Sequence, residues 1–163
     1  MRLIGAMAMA ILVVSSCKTA KTSSEVASAN LREPAAAGHS SDFCRLDFGM
    51  TFYGEFVELS SEGKLRQAFP LTYQDMKKKL TSQWRVGCNA VHEKNEARAF
   101  VTESVSSCEQ SVADFDASAV FKDLWFESAR IERAKQLKSE MTMICGRAGT
   151  RINESLDQGG VSF

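Results

Sequence analysis

Beyond Cys17, four cysteines, Cys44, Cys88, Cys108 and Cys145, are spread along this chain with no two close in sequence. That spacing lacks the Cys-x-x-Cys pattern of zinc sites and thioredoxin-like redox centres, and only His39 and His92 are available to add imidazole ligands. An even number in an exported domain reads as two disulfides, which limit the folds open to the chain by closing long loops. Three connectivities are possible. Cys88–Cys108 with Cys44–Cys145 is the favoured one, because the second bridge would tie a first strand to the end of the chain's long helix. Closing a loop of that length stabilises by up to about 4–5 kcal/mol on the chain-entropy model.

Export itself is read from residues 1–17. Met1-Arg2 gives a short, positively charged start, and Leu3 to Val14 is apolar or small throughout. A membrane-spanning helix needs about 20 apolar residues, so this run fits the core of an export signal instead. It ends on Val14-Ser15-Ser16-Cys17, which resembles the lipobox of bacterial lipoproteins: an aliphatic residue, two small ones, then cysteine. The resemblance implies that residues 1–16 are removed, that Cys17 carries a thioether-linked diacylglycerol, and that the new amino terminus is acylated. Two or more chains anchor stably where one would be marginal. In two-membrane bacteria a residue other than Asp after the lipidated cysteine directs release to the outer membrane, so Lys18 implies an outer-membrane lipoprotein with a periplasmic domain. The resemblance covers residues 1–17 and carries no activity over to the rest.

Residues 17–41 hold the lipidated Cys17 and a stretch of Ala, Ser, Thr and Lys with almost no large apolar groups. Such a segment cannot bury enough surface to offset its ordering entropy, so it reads as a flexible tether. As a coil its 24 residues after Cys17 span about 27 Å. Residues 42–163 are long enough for a single packed core. The chain carries 20 basic and 20 acidic residues, and Lys77-Lys78-Lys79 is its one basic cluster. Nucleic-acid binding would need a basic excess that is absent.

The expected fold is α+β: a small antiparallel sheet with one or two packed helices, stapled by up to two disulfides. Phe43 to Leu59 is aromatic and β-prone, with Gly49 and Gly54 as bulge or turn points. Ser60-Ser61-Glu62-Gly63 signals a turn, Lys64 to Phe69 a returning strand, and Pro70 its end. Thr72 opens a helix with Met76, Leu80 and Trp84 on one face. Alternation at Val86, Cys88 and Ala90, and again from Ala97 to Val105, suggests a hairpin, with helix a rival for Asn95 to Cys108. A long helix is expected over Ala117 to about Ser139; unbroken to Cys145 it would be about 42 Å long, and Met141 to Cys145 has strand as an alternative. Gly146 and Gly149 end the ordered part, and the tail from Arg151 is loose. Leu46-Asp47-Phe48-Gly49-Met50-Thr51 is similar to the Leu-x-x-Gly-Met-Thr opening of small outer-membrane assembly lipoproteins of the BamE (SmpA/OmlA) type, where it leads into a helix. Here Phe52-Tyr53-Gly54 follows and reads as resisting helix, so nothing is carried over from that family.

Chemistry is sparse. His39 lies in the tether, where nothing can orient it. His92, beside Glu93, reads as a solvated turn residue, and no Gly-x-Ser-x-Gly elbow supports it as a hydrolase base. Asp114, Asp116 and Asp123 cluster before and within the long helix, and Asp114-Phe115-Asp116 reads as a helix-start device more readily than as paired catalytic carboxylates. Phe48, Phe52, Tyr53 and Phe56 read as core more readily than as an exposed platform, Trp84 likewise, and one of Trp125 and Phe126, which point about 100° apart on a helix, is a candidate contact residue. No catalytic residue, cofactor or metal is expected. The reading is a non-enzymatic envelope protein, attached to a membrane through Cys17, that binds a protein partner or supports an assembly. The alternative is an inhibitor of an envelope-attacking enzyme such as a lysozyme, although the Ser-Gly-Ser and Lys-Tyr loops of known inhibitors are missing. An enzyme of unknown class comes third.

Overall fold

The computed structural model describes residues 41–163, in which helix succeeds helix: α1 (Asp42–Arg45), α2 (Phe48–Ser61), α3 (Pro70–Gly87), α4 (Lys94–Asp114) and α5 (Glu127–Gln158). Short 3-10 turns occupy Cys88–Ala90 and Ala117–Phe121. No strand is present among the described residues, so the expected α+β fold is corrected to an all-α one. The export signal, Cys17, His39 and the tether up to residue 40 lie outside the described residues.

The aromatic stretch is where propensity misled. Phe48, Phe52, Phe56 and Leu59 recur every three or four residues, which is the period of a helix face, and all four are buried. Asp47 starts α2 by accepting the Met50 amide at 3.1 Å. Phe52-Tyr53-Gly54 therefore lies within helix, contrary to expectation. Gly49 is a packing residue: a Cβ there would overlap the Lys77 carbonyl and the Thr81 backbone nitrogen of α3. The missing side chain lets α2 and α3 approach backbone to backbone, and Thr81 Oγ1 donates across the gap to Asp47 at 2.8 Å.

Lys64 to Phe69 is a connection held to α5 by a side chain. The Glu140 carboxylate accepts the backbone N–H of Arg66 at 2.7 Å and of Gln67 at 3.1 Å, bonds a partner strand would otherwise supply. Pro70 opens α3 rather than closing a strand; its missing N–H costs nothing in a first turn. Met76, Leu80 and Trp84 face the core as expected. Helix then continues through Val86, so the expected hairpin is replaced by the end of α3, the Cys88–Ala90 turn and α4. In α4, Ala97, Val101, Cys108 and Val112 keep a helical stripe buried.

The long helix is displaced and longer than expected. It begins at Glu127 and passes through Met141–Cys145, Gly146 and Gly149 to Gln158, about 48 Å at 1.5 Å per residue. Leu137, Met141, Ile144, Cys145, Ala148, Ile152 and Leu156 form its buried stripe. Gly149 sits where a Cβ would overlap Val105 of α4. The tail is also tied down: Phe43 N–H donates to the Ser162 carbonyl at 3.2 Å, and the Phe43 and Phe163 rings lie 5.8 Å apart.

The helices pack α3 on α2, α2 on α5 and α5 on α4, while α3 and α4 meet little. Trp84 is the hub where those two do touch, with ring centroids 5.0 Å from Phe43 and 4.9 Å from Phe100. The disulfides are Cys44–Cys88 and Cys108–Cys145, with Cα atoms 5.3 and 5.9 Å apart. The favoured pairing is thus corrected. Its reason failed because the segment around Cys44 is a helical turn beside the end of α3, while Cys108 and Cys145 face each other across the α4–α5 seam.

Candidate functional site

The polar candidates do not assemble into catalytic machinery. His92 is exposed in the turn before α4, and its backbone N–H donates to Glu96 at 2.8 Å. Asp116 starts the short Ala117–Phe121 turn, accepting from the Ser118 amide at 3.1 Å and its hydroxyl at 2.6 Å, while Asp114 ends α4. The Ser118 hydroxyl bond holds the Asp116 carboxyl below its ordinary range. Both acids were expected at the start of the long helix; instead Asp114 closes α4 and Asp116 opens the short turn that precedes that helix. All four cysteines after residue 40 are oxidised, which leaves no thiol nucleophile among them. No group of three or more His, Cys, Asp or Glu fit to hold a metal occurs among the described residues, and no helix there is long and apolar enough to cross a membrane.

One buried charge cluster is structural. Glu55 of α2 is 3% exposed and accepts from Nε of Arg147 and of Arg151, each at 2.6 Å, across the α2–α5 seam. Arg151 also reaches Glu58 at 2.8 Å. Burial alone would raise the Glu55 pKa, but the two arginine bonds and charges outweigh it and hold the carboxyl below its usual value. Glu55 therefore stays ionised and fully engaged, an arrangement suited to clamping helices and not to proton transfer.

Two surfaces do stand out. The first is an aromatic corner. After the buried Phe121 the chain turns outward, leaving Leu124, Trp125 and Phe126 in succession at 38%, 95% and 77% exposure. α5 starts directly behind them, and its first buried residue is Leu137, so Glu127 to Gln136 supply no fully buried side chain. Ile131 adds a further exposed apolar group one turn on. Of the aromatic candidates singled out in the sequence, Phe48, Phe52, Phe56 and Trp84 went to the core; Trp125 and Phe126 went to solvent together. The described chain starts at Ser41 beside the C-terminal end of α5, since Asp42 and Phe43 bond Ser162. The corner sits at the other end of that helix.

The second surface is the seam between α3 and α4. A hollow of about 350 Å³ is walled by Leu80, Gln83, Trp84 and Gly87 of α3 and by Phe100 and Ser104 of α4. Another of about 450 Å³ is walled by Thr72, Met76 and Lys79 of α3, Ser111 of α4, and Phe115 and Val120 beyond it. Wall residues recur three and four apart on both helices, and rising numbers on α3 meet falling numbers on α4. The two hollows thus follow one another along an antiparallel pair. Trp84 is 1% exposed, and its indole N–H has no acceptor among the described residues. No sequence signal announces this groove, because it depends on which helix pairs fail to pack.

No family model matches the chain, and neither the curated proteins nor the solved structures contain a match to it.

Proposed function

We propose that the chain is a lipid-anchored, non-enzymatic envelope protein whose helical domain binds a protein partner, with Cys17 as the anchor and Trp125-Phe126 as the contact. The outer membrane, with the domain in the periplasm, is the location that fits Lys18. The exposed corner carries the reading. Exposed Trp is among the residues most enriched at binding hot spots, and Phe is enriched at interfaces, so an adjacent pair held in water at a turn with no core function marks a contact surface. Their position at the end of α5 remote from Ser41 presents them about 48 Å along the helix from where a tether would join. Burying both would remove roughly 300–400 Å² from water, about 8–10 kcal/mol gross. Association itself costs on the order of 4–15 kcal/mol. The corner alone thus supports a transient contact, and a stable complex needs additional area.

The test is photo-crosslinking in cells with the native lipoprotein, placing a benzophenone amino acid at Phe126 and, as control, at exposed Glu154 on the C-terminal part of α5. One protein captured from position 126 and not from 154 supports the reading. Equal capture from both positions, or none from either, refutes it. A protruding corner is also the shape with which a small inhibitor enters an enzyme cleft, which keeps the lysozyme-inhibitor reading second. Protection of cells against added lysozyme, lost on Trp125→Ala, would select it.

A further inference from the structure

The groove between α3 and α4 carries an inference independent of the aromatic corner. Three of the four neighbouring helix pairs are packed; the fourth is bridged where Phe100 lies against Trp84 and Gly87, and two hollows follow one another along it between Thr72 and Gly87, about 22 Å or four helical turns. Its floor is apolar, from Trp84, Leu80 and Phe100 at one end to Met76, Phe115 and Val120 at the other. Hollows that recur at helical spacing along an antiparallel pair take the side chains of another helix laid across the mouth of the seam.

Charge says which kind of helix. The walls bear Asp75, Glu103, Asp114 and Asp116 against the single cation Lys79. Asp75 is paired with Lys78, which is outside the walls, at 3.3 Å, and Lys138 lies close enough to lower the Asp116 pKa. Glu103 and Asp114 enter no ion pair among the described residues. They stand eleven residues apart on α4, one beside each hollow, about 16 Å along the axis. We propose that this groove seats an amphipathic helix of a partner protein, apolar on the buried face and bearing Lys or Arg about three turns apart opposite Glu103 and Asp114.

The proposal is tested with the full chain carrying Cys17→Ser, to dispense with lipid, and Trp125→Phe, which leaves Trp84 as the only tryptophan. The probes are a 16-residue Leu/Lys amphipathic helical peptide and a twin with Glu for every Lys. The basic peptide is expected to bind at least tenfold more tightly, to change the Trp84 emission, and to weaken with added salt. Glu103→Lys with Asp114→Lys is expected to invert the preference. Ser107→Phe, which places a ring in the first hollow, should weaken the basic peptide at least tenfold while helical circular dichroism is unchanged. Equal affinity for both peptides overturns the proposal, as does indifference to charge reversal or to Ser107→Phe. Concentration-dependent dimers in sedimentation that the basic peptide fails to dissociate would assign the groove to a second copy and also overturn it. Because Glu103, Ser107 and Asp114 line the hollows and the corner is Leu124 to Phe126, this outcome is separate from that of the crosslinking at the corner.

Discussion

Removing both arginines from Glu55 should reverse the sign of the protein's acid response. In the native chain the carboxyl is 3% exposed and answered by Arg147 and Arg151 at 2.6 Å each, while those arginines keep 42% and 47% of their side-chain surface in water. The asymmetry decides the energetics. Arg147→Ala with Arg151→Ala leaves a carboxylate stranded in the α2–α5 seam, a loss of about 3–5 kcal/mol. Glu55→Met instead releases two arginines that can turn to solvent and fills the seam with apolar atoms, so its cost should stay under about 1.5 kcal/mol. Against a total stability of about 5–15 kcal/mol, the double variant should lose roughly 10–20 °C in Tm and the methionine variant only a few degrees.

The pH dependence follows from the same geometry. A folded-state pKa below the unfolded value contributes stability that is present above about pH 4.5 and is lost as pH falls through the unfolded and then the folded pKa. Without its arginines, Glu55 is governed by burial, which raises its pKa, so acidification toward pH 5 should narrow the double variant's deficit relative to pH 7. Urea denaturation of the three proteins from pH 4 to pH 8 gives the comparison. A deficit that is constant across pH, or a Glu55→Met variant as unstable as the double arginine variant, would show that the cluster does not clamp the helices as argued.

Peptide mapping under non-reducing conditions should recover Cys44 with Cys88 and Cys108 with Cys145, and removing either bridge should cost up to about 4 kcal/mol for loops of 44 and 37 residues. Two glycines in α2 should answer alanine with opposite signs. Gly49→Ala meets the α3 backbone and should destabilise by about 1–3 kcal/mol, while Gly54→Ala meets nothing within 4 Å and should gain about 0.5–1 kcal/mol, as thermal melts would register. Tyr73 is buried with an unanswered hydroxyl, and burial, helped by the charge of Glu140, pushes its pKa up. Its contribution is present below the unfolded pKa of about 10 and is lost as pH rises, so Tyr73→Phe should be neutral to about 1 kcal/mol more stable at pH 7 and should flatten the alkaline decline. A clear loss of stability at pH 7 would mean the hydroxyl has a partner.

What the sequence disclosed was spacing, and what it concealed was contact. Met76, Leu80 and Trp84, like Leu137, Met141 and Ile144, sit at helical intervals and are buried as that interval requires. Phe48, Phe52 and Phe56 carry the same interval, but their residue type favours strands, and type was given weight over period. Burial against Tyr73 and Trp84 outweighs the modest intrinsic preference of a phenylalanine. Glycine misled in the same way. Gly49 and Gly149 suggested breaks, yet each serves a close helix crossing that only the partner helix reveals. Trp125 and Phe126 were visible as candidates, but their exposure follows from where Phe121 and Leu137 enter the core. The groove is a property of α3 and α4 jointly, so no window along the chain contains it.

The two bridges also bear on how the chain reaches its native state. Cys44 pairs with the next cysteine after it and Cys108 with the next after that, so neither bridge encloses or straddles the other. On the export route proposed above, with Cys17 taken up by lipid, a chain threaded through a membrane amino end first would present Cys44 and Cys88 together while Cys108 is still behind, and an oxidase that joins free cysteines in order of arrival would make both correct bonds. A nested pattern would have required wrong bonds to be broken and remade. The native pairing is the one that such vectorial delivery would yield by default, so on that route maturation would need no thiol–disulfide reshuffling.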